Sequence, residues 1–177
     1  MILDLGCGQH KIPGAIGMDL SASADIQRNI IDLPWPFPDE HFDRIESRQV
    51  FEHLPWGGDE PYENLLMVIE ECWRTLKPGG VLHIETPHID SMSAVGFPFH
   101  RRQFNEQSFT YCASTQAGNY NPWPYHRFAS IRVWTDREFA LGRFNQYHAK
   151  KYLPRLYAFA CRIGFGTKSN LFVDLTK

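Results

Sequence analysis

The sequence contains no apolar run close to the ~18 residues that a membrane-spanning helix requires, so no span is expected. It opens Met1-Ile2-Leu3-Asp4-Leu5-Gly6, with neither a basic segment nor an apolar signal core, and nothing marks it for export. Its four cysteines (Cys7, Cys72, Cys112 and Cys161) are scattered, without a Cys-x-x-Cys pair. That pattern argues against a disulfide frame or a zinc knuckle, and for reduced thiols in a cytoplasmic protein. There is no internal repeat and no low-complexity segment. With 43% hydrophobic and 21% charged residues, the composition excludes a disordered or fibrous chain. A length of 177 residues suits one domain with a core that needs no staples.

The net charge of −2 conceals an asymmetry. Residues 1–99 hold six Lys and Arg against sixteen Asp and Glu; residues 100–177 hold twelve against four. The basic half either faces an anionic substrate or complements the acidic half within the molecule.

Ile2–Leu5 is a short apolar run that breaks at Gly6-Cys7-Gly8, as a buried strand ending in a glycine turn does. Ala15–Leu20, Asn29–Ile31 and Phe42–Val50 are expected to be the next three strands, the first two ending at Asp19 and Asp32. Tyr62–Leu76 has an amphipathic helical pattern, with Leu65, Leu66, Ile69, Cys72, Trp73 and Leu76 on one face. Lys77-Pro78-Gly79-Gly80 stops it, and Val81–Thr86 follows as a fifth strand. Strands and helix in this order predict an α/β fold around a mostly parallel sheet, with helices on both faces. A helix near Asn105–Cys112, a strand at Ser130–Trp134, a helix at Ala149–Ile163 and a strand at Asn170–Leu175 complete the expectation. The whole is expected to be one domain: a ligand-binding half over 1–88, a cap over 89–128, and closing elements over 129–177.

Ligands of open α/β sheets bind at the carboxyl ends of the strands. The first of those ends carries Gly6-Cys7-Gly8, where backbone can approach a ligand closely. The second carries Asp19, which can accept hydrogen bonds from a ribose diol, and the third carries Asp32-Leu33, suited to an adenine. The set points to an adenosine-containing ligand. A nicotinamide dinucleotide needs a third glycine leading into a helix whose N-terminus holds the pyrophosphate. Gly6-Cys7-Gly8-Gln9-His10-Lys11 lacks that glycine, and the stretch from Gly8 to Asp19 is too short for a helix and a strand. A cofactor without phosphates fits better, S-adenosylmethionine foremost.

Residues 1–88 carry a resemblance in four places. Ile2-Leu3-Asp4-Leu5-Gly6-Cys7-Gly8 resembles the first motif of class I S-adenosylmethionine-dependent methyltransferases. Asp32 through Asp43 (DLPWPFPDEHFD) is similar to their Asp-x-x-x-Leu-Pro-Phe-x-Asp-x-x-Phe-Asp segment. Val50-Phe51-Glu52-His53-Leu54 is similar to Val-Leu-Glu-His-Leu, and Arg74-Thr75-Leu76-Lys77-Pro78-Gly79-Gly80 to Arg-x-Leu-Lys-Pro-Gly-Gly. The resemblance implies a Rossmann-like fold and S-adenosylmethionine as cofactor. It implies that Asp4, Gly6, Cys7 and Gly8 hold the cofactor's methionine part, Asp19 and Leu20 its ribose, and Asp32 and Leu33 its adenine. Gln49, Glu52 and His53 would line the transfer site. One departure stands out: there is no room for the family's usual first helix, and no helices precede the first strand to cover the substrate.

Methyl transfer needs a base only when the nucleophile must lose a proton; His53, with Glu52 beside it, is the candidate, and the alternative is that Glu52-His53 caps and orders the loop after the strand. His88, His100 and Arg101 are candidates for gripping an anionic substrate, with Arg102 expected on the solvated surface. His53, His88 and His100 lack tight ligand spacing, so no metal is expected. Amino-methylating DNA enzymes carry Asn-Pro-Pro-Tyr or Asp-Pro-Pro-Tyr after the fourth strand, where this chain has Ser47-Arg48-Gln49-Val50, so a nucleic-acid partner is not expected. Trp35 is expected over the adenine edge. The aromatics of the cap are expected mostly in the core, with enough clustering to suggest a ring-shaped acceptor. The sequence therefore predicts methyl transfer to O or N of a small-molecule or glycan-like acceptor. The alternatives are a non-catalytic cofactor-binding partner protein and, third, a nicotinamide oxidoreductase. Oligomeric state is not readable.

Overall fold

The computed structural model describes residues 1–57, 64–113, 126–138, 155–156, 158 and 167–177. Among the described residues, seven strands form one sheet: β1 (Ile2–Leu5), β2 (Ile16–Asp19), β3 (Ile26–Gln27), β4 (Phe42–Arg48), β5 (Leu76–Pro87), β6 (Ser130–Glu138) and β7 (Thr167–Thr176). Their order is β3-β2-β1-β4-β5-β7-β6. The first five run parallel, and β7 lies antiparallel between β5 and β6. The order reverses between β1 and β4, the place where an open α/β sheet parts its connections and takes its ligand.

β1 has the composition of a strand covered on both faces, since Leu3, Asp4 and Leu5 are all buried. No helix separates β1 from β2; residues 6–15 form turns, as the short spacing predicts. Helix α1 (Asn64–Thr75) buries Leu65, Val68, Ile69 and Cys72, a stripe at spacings of three and four. It ends where the Thr75 hydroxyl donates back to the Glu71 carbonyl at 2.9 Å. β5 then begins at once, and Gly79, at φ +79°, makes the turn inside Lys77-Pro78-Gly79-Gly80.

The third strand is not where the hydrophobic pattern predicts it. Asn29–Ile31 lies in a turn closed by bonds from the Asp32 amide to the Asn29 carbonyl and from Leu33 to Ile31, and the paired residues are Ile26 and Gln27. The expected helix near Asn105–Cys112 reduces to a single 3-10 turn at Thr110–Cys112. A short helix α2 (Met92–Gly96), capped by Ser91, was not expected. The expected helix at Ala149–Ile163 falls almost wholly outside the described residues, as do Tyr120, Trp123, Tyr125 and Cys161. Cys7, Cys72 and Cys112 are buried free thiols, and burial pushes the Cys112 thiol up to about 12. Among the described residues, no helix is long and apolar enough to cross a membrane.

Candidate functional site

A cleft of about 330 Å³ opens at the carboxyl ends of β1, β2 and β4. Its size falls within the range of small-ligand sites. Gly6 forms its floor, Asp19 and Leu20 one wall, and Gln49, Val50 and His53 the opposite wall. Arg28, Asn29, Ile30 and Ile31 close a third side.

Gly6 cannot be replaced without distortion. It sits at φ +71°, and a Cβ there would meet Val50 Cγ2 at 2.4 Å. The glycine therefore lets the β1 turn pass against the wall of the β4 loop and leaves room above it. Gly8, at φ +52°, donates its amide to Asp19 Oδ2 at 3.0 Å. Asp19 Oδ1 accepts from the Ser21 amide at 2.7 Å. Each carboxylate oxygen accepts one of these bonds and has further acceptor capacity, and Asp19 lines the cleft.

Asp4, expected to touch the ligand, lies beneath the site instead. Only 1% exposed, it accepts from the Ile12 amide at 2.7 Å and pairs with Arg48 at 3.1 Å. It is a positioning residue that folds residues 6–12 over the end of β1. Cys7 and Gly8 likewise shape the turn and do not line the cleft. The Cys7 thiol is pushed up chiefly by burial, then by Asp19 and Asp4. Its bulk sits where a Cβ on Gly17 would come within 2.7 Å of its sulfur.

The adenine side differs from expectation. Asp32 is exposed, and neither it nor Leu33 lines the cleft; Asn29, Ile30 and Ile31 do. The Arg28 guanidinium donates to the Asp32 and Pro34 carbonyls at 2.9 and 3.1 Å, turning this loop back on itself. Trp35, expected at the adenine edge, is 2% exposed, with its indole N–H on the Ile30 carbonyl and its amide on Glu71. It supports the loop from the core.

On the opposite wall, Gln49 adopts φ +56°, and its side-chain amide donates to Glu85 and Asn170 at 3.3 Å. His53 Nδ1 lies 3.3 Å from the Phe99 carbonyl. A carbonyl only accepts, so Nδ1 carries the hydrogen and Nε2 keeps its lone pair. His100 stands beside it, ring centroids 4.8 Å apart. Glu52 is 1% exposed; Oε2 accepts from the Thr86 hydroxyl at 3.0 Å, and burial raises its carboxyl above the ordinary range. Of the three residues expected at this end of β4, Gln49 and His53 line the cleft and Glu52 is buried behind it.

The remaining substrate candidates divide. His88 is buried: its Nδ1 accepts from the Asp90 amide at 3.1 Å and its Nε2 meets Glu106 at 3.1 Å. It braces the loop after β5 and does not reach the cleft. Arg101 is exposed and lines a second, shallower depression of about 440 Å³ with Trp56 and Phe104. Arg102, expected in solvent, is 6% exposed. It donates to the Leu54 and Pro55 carbonyls at 3.2 and 3.0 Å and stacks 4.1 Å from the Trp56 ring centre. It holds the loop that carries His53, a role that an Arg-Arg pair in sequence does not announce.

Residues 3–84 match the methyltransferase domain family. Over 138 residues the chain is 28% identical to a probable S-adenosylmethionine-dependent methyltransferase of Mycolicibacterium smegmatis, covering 62% of this chain and 48% of that protein. The chain thus spans about half the length of this curated relative. Among solved structures, a SAM-dependent methyltransferase from Archaeoglobus fulgidus aligns with a TM-score of 0.65 at 14% identity, over 99% of this chain and 85% of that one. Phosphoethanolamine N-methyltransferase 2 of Haemonchus contortus, in complex with S-adenosyl-L-methionine, aligns at 0.55 and 17%, over 99% and 48%. Residues 3–84 thus resemble the methyltransferase domain family, and the fold is that of the class I S-adenosylmethionine-dependent methyltransferases. S-adenosylmethionine is the cofactor of that class.

Proposed function

We propose that the cleft binds S-adenosylmethionine and that this chain transfers its methyl group to O or N of a small-molecule or glycan-like acceptor. The observation that carries the reading is the joint placement of Gly6, Asp19, Gln49 and His53 around one cleft at the strand ends. When bound, the cofactor supplies a methyl carbon on a sulfonium, open to in-line displacement without metal or covalent enzyme intermediate. The protein's part is to hold the acceptor atom against that carbon, and such alignment can lower a barrier by ~7–11 kcal/mol. Asp19 orients the ribose, and Gly6 admits the chain that bears the methyl group. His53 Nε2, kept free by the bond at Nδ1, receives a proton from an acceptor that must lose one.

Phe97 and Phe99 support an acceptor with a ring. Both are exposed, and Phe97 stands 6.0 Å from His53 ring to ring. Phe104, Phe109 and Phe128, by contrast, belong to the core, as most of the cap aromatics were expected to. A cytoplasmic location is part of the proposal and rests on the buried free thiols. The test is accumulation of S-adenosylhomocysteine from S-adenosylmethionine across a panel of acceptors. Turnover with ring-bearing alcohols or amines is expected. Tight cofactor binding with no turnover on any acceptor would instead identify a non-catalytic binding protein.

A further inference from the structure

Glu52, His53 and His100 bring one carboxylate oxygen and two imidazole nitrogens within 4.8 Å of one another at the edge of the cleft. We propose that these three residues form a binding site for a divalent transition-metal ion, placed beside the acceptor's position. The donor set is two imidazoles and a carboxylate, which suits zinc, iron or manganese better than the all-oxygen sites of calcium and magnesium. Three protein ligands leave positions open for an oxygen-bearing molecule in the cleft.

Two donor atoms have no other partner. Glu52 Oε1 and His100 Nδ1 are both shut off from water and make no hydrogen bond among the described residues. Buried polar atoms are rarely left so, because each loses its hydration without return. Both atoms belong to residues of the same cluster, so a cation bound there offers a partner to each.

Supports behind the ligands are already built. The Thr86 hydroxyl holds Glu52 Oε2 and leaves Oε1 free, while the Phe99 carbonyl holds His53 Nδ1 and leaves Nε2 free. Such outer hydrogen bonds orient metal ligands and fix the imidazole tautomer. The loops are tied as well: the Arg101 and Arg102 amides donate to the Glu52 carbonyl at 2.7 and 3.3 Å, which keeps His100 against the Glu52-His53 turn. Bonds of ~2.0–2.2 Å to a common ion place ligand atoms ~3–4 Å apart, so closure asks for side-chain shifts on the order of 1 Å. The spacing in sequence hides the site, because His100 comes from a different loop, beyond β5.

Occupancy of this site does not depend on the methyl-transfer reading; its use in holding an acceptor does, and with the ion bound His53 Nε2 is a ligand, so the acceptor's proton goes to solvent and not to that nitrogen. The test is titration of chelator-treated full chain with Co²⁺, followed by its visible ligand-field absorption and by competition with Zn²⁺. One Co²⁺ per chain is expected, displaced by Zn²⁺. Glu52→Gln, His53→Ala and His100→Ala should each weaken binding by at least ~10–100-fold, the loss typical of removing even a supporting group. His10→Ala, remote from the cluster, should leave it unchanged. His53→Ala guards against a folding artefact, since that ring lies on the cleft wall. S-adenosylhomocysteine binding and thermal melting, run on every variant, report separately on the cofactor cleft and the fold. Co²⁺ affinity unaltered in folded His53→Ala and His100→Ala, or no Co²⁺ binding to the parent, would overturn the proposal.

Discussion

The backbone amide of Gly8 donates to Oδ2 of Asp19 at 3.0 Å, joining the turn after β1 directly to the end of β2. That bond fixes the glycine turn against the acidic strand end without an intervening helix. Under the proposed function the same carboxylate serves the turn and the ligand. Asp19→Ala should therefore weaken S-adenosylhomocysteine binding by about 1.5–3 kcal/mol, the worth of hydrogen bonds to a charged group. Asp32→Ala, at an exposed position off the cleft, should change affinity far less. Calorimetry on both variants checks the pair, and equal losses would mean that the adenine side is wrongly placed.

Gly6 offers a steric test. An alanine there meets Val50 Cγ2 and must hold a left-handed backbone that costs ~1–2 kcal/mol before any clash. Gly6→Ala should lower both melting temperature and cofactor affinity. Gly79→Ala, strained by a similar φ of +79° but with nothing within 4 Å of the new methyl, should lower stability alone. Binding that survives in Gly6→Ala would remove the turn from the site.

Arg102 and Arg101, adjacent in sequence, should behave as opposites. Arg102→Ala removes a buried guanidinium from two carbonyls and from the Trp56 ring, and about 2–3 kcal/mol of stability should go with it. Arg101→Ala, on the surface, should change stability by no more than ~0.5 kcal/mol. Urea unfolding of the two variants measures the difference.

Glu106 gives a pH signature. Its carboxyl is held down to about 2 from an ordinary 4.5, first by the Lys168 ammonium, then by backbone and by His88. A depressed carboxyl stabilises the fold above its unfolded value and loses that contribution as pH falls through the folded value. Glu106→Gln should therefore melt below the parent at neutral pH. The gap should narrow as pH drops from about 4.5 towards about 2. A gap independent of pH would show that the Lys168 and His88 contacts do not hold the charge.

The local signals were the most legible ones. Apolar runs broken by glycine and aspartate revealed β1 and β2, and the helical stripe revealed α1, because each is a property of consecutive residues. The third strand slipped from Asn29–Ile31 to Ile26–Gln27 because a turn and the Trp35 indole take the hydrogen bonds that a longer strand would need. Asp4, His88 and Arg102 sit where sequence spacing does not place them, for a different reason. Their partners (Arg48; Glu106; Leu54 and Pro55) come from distant parts of the chain, so chemistry-bearing residue types were spent on bracing. The sequence offers His100 only as an anion grip, and its place beside Glu52 depends on backbone bonds from Arg101 and Arg102 that no spacing rule contains.

The central claim is that the cleft between Gly6, Asp19 and His53 is a nucleoside site for a cofactor without phosphates. Calorimetric titration of the chain with S-adenosylhomocysteine, with NAD run alongside, tests it most directly. Binding of S-adenosylhomocysteine in the micromolar range and none of NAD is the predicted result. NAD bound as tightly, or neither ligand bound, would contradict it.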